Sequence, residues 1–131
     1  YVLYVKTHSY HWNVTGPHFH TLHTLFEEQY RQIWESLDDI AERIRSLDSY
    51  APVSSRVMAE ASGIEEADND VPSAQVMLQN LVDDHTSWLK DAETALDEAS
   101  DAGDTATEDL LSGLFSAHEK MRWMLKSSLA D

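Results

Sequence analysis

The chain has 131 residues, 42% of them hydrophobic, with four glycines, three prolines and no cysteine. That length carries one core and is short for two, so a single domain over residues 1–131 is expected, helical rather than a sandwich or a disordered tail. Without cysteine there are no disulfides or thiolate metal sites, and any metal must be held by His, Asp or Glu. The net charge of -15, from 24 acids against nine Lys and Arg, repels nucleic-acid phosphates and argues against direct DNA contact. It suits a cation-handling protein, and equally a merely solubilising surface. No apolar run approaches the 18 residues of a membrane span, so a soluble, cytoplasmic protein is expected.

Residues 1–13 are helix-compatible, and Thr15-Gly16-Pro17 breaks the pattern with a tight turn. Thirteen residues span only about 20 Å, and the helical pattern is already running at Tyr1, so an upstream segment is expected. A long helix is predicted from about His18 to Leu47, where Phe19, Leu22, Phe26, Tyr30, Ile33, Leu37, Ile40, Ile44 and Leu47 recur at helical spacing. The stretch from Asp48 to Pro72 is too long for a hairpin and reads as a crossover, with one short helix over Ser54–Ser62. A further helix is expected over Ser73–Ala102, with Leu78, Leu81, Val82, His85, Trp88, Leu89, Ala92, Leu96 and Ala99 facing inward and Gly103 as its stop. Thr105 and Glu108 are spaced as a capping box for the last helix. Its inner face carries Leu110, Leu111, Leu114, Phe115, His118, Met121, Leu125 and Leu129. Four main helices with one long crossover, carrying a short extra helix, give an all-α, ferritin-like four-helix bundle.

Five histidines fall within 16 residues: His8, His11, His18, His20 and His23. Along the second predicted helix Glu27, Asp38 and Glu42 sit about 40°, 60° and 100° round from His23, so all four share a face. So many ionisable groups on one stripe call for a reason. His11 and His23 flank the Gly16-Pro17 turn and are brought side by side by an antiparallel hairpin, with Glu27 one turn beyond. Asp38 and Glu42 form a second, i,i+4 cluster. The two clusters lie about 22 Å apart along the helix, and no metal with bonds of about 2 Å spans that gap. Either each cluster works alone, or a second copy lies antiparallel and a two-fold axis brings Asp38 and Glu42 of one chain against His11, His23 and Glu27 of the other. The mixed donor set suits Fe(II) or Zn(II), with iron favoured where open positions are wanted and zinc as its substitute.

His11-Trp12, Gly16-Pro17-His18-Phe19, His23 and Asp38-Asp-Ile-Ala-Glu42-Arg43 together resemble the pattern of the Dps proteins (DNA-binding proteins from starved cells), also called mini-ferritins. The resemblance covers the chain in helix order and is most specific between His11 and Arg43. It implies a homo-oligomer, a dodecameric shell whose ferroxidase centres lie at two-fold interfaces. His11, His23 and Glu27 would come from one subunit and Asp38 and Glu42 from its mate, with Trp12 as the aromatic residue beside the centre. It further implies Fe(II) oxidation, with hydrogen peroxide or oxygen as oxidant, and storage of Fe(III). Asp104 and Asp109, at the start of the last helix, become candidates for an iron-entry pore. The basic tail of DNA-binding members has no counterpart in these 131 residues, a point the expected upstream segment leaves open, and His8, His18 and His20 fall outside the core pattern.

Blander readings stand beside these. A single histidine on a helix face is more often a structural hydrogen-bonder, the reading preferred for His85 and His118. Trp12 could be ordinary core, and His18 and His20 plain surface. Asp104 and Asp109 suit a helix N-terminus whatever else they do. An intrabundle di-iron site of the ferritin type wants Glu-x-x-His on two helices, a motif absent from this sequence. The alternative function is a DNA-compacting stress protein whose metal site is vestigial or zinc-filled.

Overall fold

The computed structural model describes residues 1–129. Its elements are α1 (Val2–Asn13), α2 (Phe19–Ser46), α3 (Ser55–Ala61), α4 (Ala74–Asp101) and α5 (Thr105–Leu129). Among the described residues there is no strand, and no helix is long and apolar enough to cross a membrane. Two compact units divide the chain, residues 1–77 and residues from Leu78 onward, the boundary falling inside α4.

In the first unit α1 packs against α2. Val2, Leu3, Tyr10 and Val14 bury one side of α1 and its end, and Leu22, Leu25, Phe26, Tyr30 and Ile33 bury the first half of α2. The turn between the two helices depends on Gly16, whose φ of 116° lies where a side chain would be strained. Phe19 is 43% exposed, standing at the first position of α2, ahead of the packed turns. Leu37, Ile40, Ala41 and Ile44, on the second half of α2, line an open groove of about 530 Å³ with Asp38, Pro52, Met58 and Ala61. The apolar stripe of α2 thus continues past the surface this unit itself covers. Asp48 ends the helix with φ 64°, a left-handed position that Asp tolerates better than most residues. Ser54 caps α3, its hydroxyl accepting from the Val57 N–H at 3.2 Å.

In the second unit α4 buries Leu78, Leu81, Val82, His85, Leu89, Ala92 and Ala99, and α5 buries His118, Met121 and Leu125. Gly103 ends α4 with φ 69°, as its position suggested. The cap of α5 differs from expectation. Asp104, not Thr105, is the capping residue: its carboxylate accepts from the Thr107 N–H at 3.1 Å and from the Thr107 hydroxyl at 2.5 Å. Thr105 is already the first helical residue. An aspartate immediately upstream can close on N3 as well as a threonine can, and it adds a favourable charge at the positive end of the helix.

Candidate metal centre

α1 and α2 run on either side of the Gly16 turn, and their facing surfaces bring His11 and His23 together. The rings stack with centroids 3.8 Å apart and planes 16° from parallel. Each is bonded to the other's backbone. The His11 Nδ1–H donates to the His23 carbonyl oxygen at 2.7 Å, and the His23 Nδ1–H donates to the His11 carbonyl oxygen at 2.7 Å. A carbonyl oxygen only accepts, so the ring proton of each neutral imidazole is fixed on Nδ1. The lone pair of each is therefore on Nε2, oriented for a cation by the main chain itself. His11 is buried, 7% exposed, and its Nε2 lies 4.0 Å from Glu27 Oε1. That same oxygen is 3.8 Å from Arg31 Nη2, a cation that steadies the carboxylate one turn along the helix.

Aromatic side chains wall this cluster. Tyr30 meets His11 edge-on, with centroids 5.2 Å apart, and Phe19 stacks on His23 at 5.0 Å. His8 lies between Tyr30, stacked at 3.8 Å and 11°, and Trp12 at 4.1 Å. Burial holds the His8 pKa below its usual value, helped by His11 and Arg31 and opposed by Glu27. Trp12 is 65% exposed and so is not core packing in this chain. Helical spacing marks Tyr30 only as a core position, and His8 only as an extra histidine. A signal for both exists nonetheless: Tyr30 is seven residues after His23, and Tyr4, His8 and Trp12 repeat at i,i+4 on α1.

Asp38 and Glu42 are exposed on α2. Because α2 is continuous from Phe19 to Ser46, Asp38 stands 15 residues, or about 22 Å, along the axis from His23. Among the described residues no group of three or more His, Cys, Asp or Glu side chains is placed to hold one metal ion. The chain thus brings together His11, His23 and the nearby Glu27, and keeps Asp38 and Glu42 apart from them. Asp104 is engaged as the α5 cap, while Asp109 is exposed on that helix. His18 and His20 are exposed at the start of α2.

His85 and His118 form a separate pair, bonded Nδ1 to Nδ1 at 3.0 Å and nearly inaccessible to solvent. Trp88 stacks on His118 at 3.5 Å and 8°. Burial pushes His85 down to about 4, helped by Arg122, and burial followed by the His85 charge pushes His118 down to about 3. Both are buried and hydrogen-bonded to each other, as a structural role requires.

Comparison with known proteins shows the family and the fold. The ferritin-like domain family matches residues 1–131. The DNA protection during starvation protein of Brevibacillus brevis is 38% identical over 128 residues, 98% of this chain and 85% of that protein. The crystal structure of Dps from Staphylococcus aureus superposes with a TM-score of 0.94 at 36% identity, covering 99% of this chain and 87% of that one. Dps from Vibrio cholerae O1, described as a member of a broad superfamily of ferritin-like diiron-carboxylate proteins, gives a TM-score of 0.93 at 34% identity over 98% of this chain and 80% of its own. The fold class is accordingly the all-α, ferritin-like bundle, with α3 as the short extra helix of the crossover. The chain belongs to the Dps family of ferritin-like proteins.

Proposed function

We propose that this protein is a ferroxidase and iron-storing mini-ferritin that oxidises Fe(II), with hydrogen peroxide as the preferred oxidant, at centres completed by a second copy of the chain. The observation that carries the reading is the reciprocal carbonyl lock of His11 and His23. It presents two Nε2 lone pairs beside the Glu27 carboxylate, a half-built site for a borderline divalent cation. Asp38 and Glu42 supply the missing carboxylates if the partner's α2 runs antiparallel across a two-fold axis, and one such contact makes two equal centres. In this reading the imidazoles hold Fe(II) with positions left for the oxidant, and the carboxylates stabilise the ferric product. Trp12 stands beside the centre. Zinc can replace iron on the same donors.

The further parts of the reading are a dodecameric shell in the cytoplasm, Fe(III) stored inside, and Asp109 with Asp104 guiding iron through a pore. Protection of DNA is chemical, through removal of Fe(II) and peroxide, since the net charge of -15 opposes contact with phosphates. The test is Fe(II) oxidation followed by absorbance under limiting peroxide. Purified protein is expected to accelerate it, and His23→Ala and Asp38→Ala are each expected to abolish the acceleration. Unchanged rates in both variants would sink the proposal.

A further inference from the structure

The second unit holds a polar pair that packing alone does not explain. His85 on α4 and His118 on α5 are 0% and 1% exposed, and their Nδ1 atoms lie 3.0 Å apart. One N–H···N bond accounts for both Nδ1 atoms, one ring donating and the other accepting. His85 Nε2 is buried as well, and it has no hydrogen-bond partner among the described residues. Whether it carries a proton or a lone pair, that nitrogen gives up water and gains no bond in return. Two apolar side chains would fill the same space without this cost, so a structural hydrogen bond is an incomplete account of two histidines at this level of the core.

Two neutral imidazoles that face each other through nitrogen are also a chelate. Nitrogens bound to one ion at about 2 Å are about 2.8 Å apart at a right angle and about 3.5 Å apart at 120°. The observed 3.0 Å lies between these limits. Trp88 stacks flat on His118 at 3.5 Å and holds the plane of that ring. Met121, 3% exposed, follows His118 by three residues, and the two belong to the same buried face of α5. It places a soft thioether one helical turn from the imidazole.

Charge selects the ion. Among the described residues no carboxylate joins the pair as a third His or acidic ligand, so the donors are all neutral. The cost of taking an ion into a dry interior rises with the square of its charge. Arg122, hydrogen-bonded to Thr86 at 3.3 Å, already sets a positive charge close enough to lower the His85 pKa. A divalent ion would meet that charge with no anionic ligand to offset it. Cu(I) carries a single charge and accepts imidazole and thioether donors together. We propose that His85, His118 and Met121 form a buried site for cuprous copper, bound through the two Nδ1 atoms with the Met121 sulfur as third donor. On binding, the proton between the Nδ1 atoms moves to Nε2 of the ring that carried it. Both Nδ1 lone pairs then face the ion, and no proton leaves the protein. The site shares no residue with the candidate iron centre and does not depend on the ferroxidase reading.

The probe is Cu(I) itself, titrated without oxygen into the metal-free full chain against a chromophoric Cu(I) chelator. A His11→Ala/His23→Ala background removes the other stacked imidazole pair, and the chelator strips exposed histidines such as His18 and His20. One Cu(I) per chain is expected to resist the chelator in this background. Adding His118→Leu is expected to weaken binding at least about 100-fold, and adding Met121→Leu about tenfold. Copper X-ray absorption is expected to show two imidazoles and one sulfur, with the sulfur lost in Met121→Leu. No retained copper in the background overturns the proposal, as does unchanged retention after His118→Leu in a chain that circular dichroism shows to be folded. Where His118→Leu does not fold, the absorption spectrum decides, and oxygen ligands in place of imidazole and sulfur overturn the site. An unchanged affinity and spectrum in Met121→Leu refutes the thioether donor. Zn(II) that the background retains and His118→Leu releases refutes the choice of a monovalent ion.

Discussion

Acidification should weaken the α4–α5 unit through His85 and His118, and the size of the effect follows from their burial. Both imidazoles are neutral in the folded chain, held at about 4 and about 3 against an ordinary 6.5. Once unfolded, each binds a proton below pH 6.5, so the unfolded state holds more protons than the folded one. Stability then rises with pH in this range. The contribution is fully present above about pH 6.5 and is lost progressively as pH falls toward 4 and 3. At 1.36 kcal/mol per pKa unit, lowering the pH from 6.5 to 4 costs the folded state about 3 kcal/mol for each of the two imidazoles and about 6 kcal/mol for the pair, a large share of a domain's stability. The double variant His85→Leu/His118→Leu removes both titrating groups and fills similar volume. The assay is urea unfolding by circular dichroism between pH 4 and 7.5, comparing the two proteins so that the many carboxylates cancel. The wild type is expected to lose about 6 kcal/mol more than the double variant over this interval. Parallel pH profiles would refute the argument that the pair stays neutral because it is buried.

Three further outcomes are expected. Co-assembling His23→Ala with Asp38→Ala chains should restore about a quarter of the wild-type oxidation rate, because half the dimers are mixed and each mixed dimer keeps one intact centre; no recovery would refute a shared site. Asp104→Ala should lower thermal stability by about 1 kcal/mol through loss of the α5 cap, whereas Asp109→Asn should leave melting unchanged and slow iron uptake. Electrophoretic mobility-shift titrations at physiological salt should show no complex between this chain and duplex DNA, and a clear shift would contradict the charge argument.

Much of the fold is legible in the sequence because helices have a fixed pitch. The apolar spacing around Leu22, Phe26 and Ile33 is enough to define α2, and the same pitch places His23, Glu27, Asp38 and Glu42 on one face. The rise per residue also shows that Asp38 cannot reach His23 within one chain. Spacing cannot show which ring nitrogen of His11 and His23 carries the proton, since that depends on carbonyl groups brought close by the turn. Nor can it separate Asp104 from Thr105 as the α5 cap, because both can bond to the third residue of the helix and the choice turns on a shift of a single residue. Tyr30 is hidden by its chemistry: a half-polar aromatic on an apolar stripe reads as core until its neighbours are known. The outer half of α2 is legible as helix but not in what covers it. Leu37, Ile40 and Ile44 follow the same period as Leu22 and Phe26, but periodicity marks only that a face is apolar, not which surface covers it.

The carbonyl lock between His11 and His23 makes the length of the turn a ruler. Each imidazole is aligned by a main-chain oxygen of the opposite helix, so the position of the lone pairs is a property of the backbone register and not of side-chain packing. Polar replacements at exposed Thr15 or His18 can be absorbed without disturbing either bond. Inserting or deleting a single residue between Asn13 and Phe19 would move both carbonyls off their rings at once, and would release both tautomers together. Drift within the lineage is therefore expected to change the letters of this turn freely while leaving its count fixed.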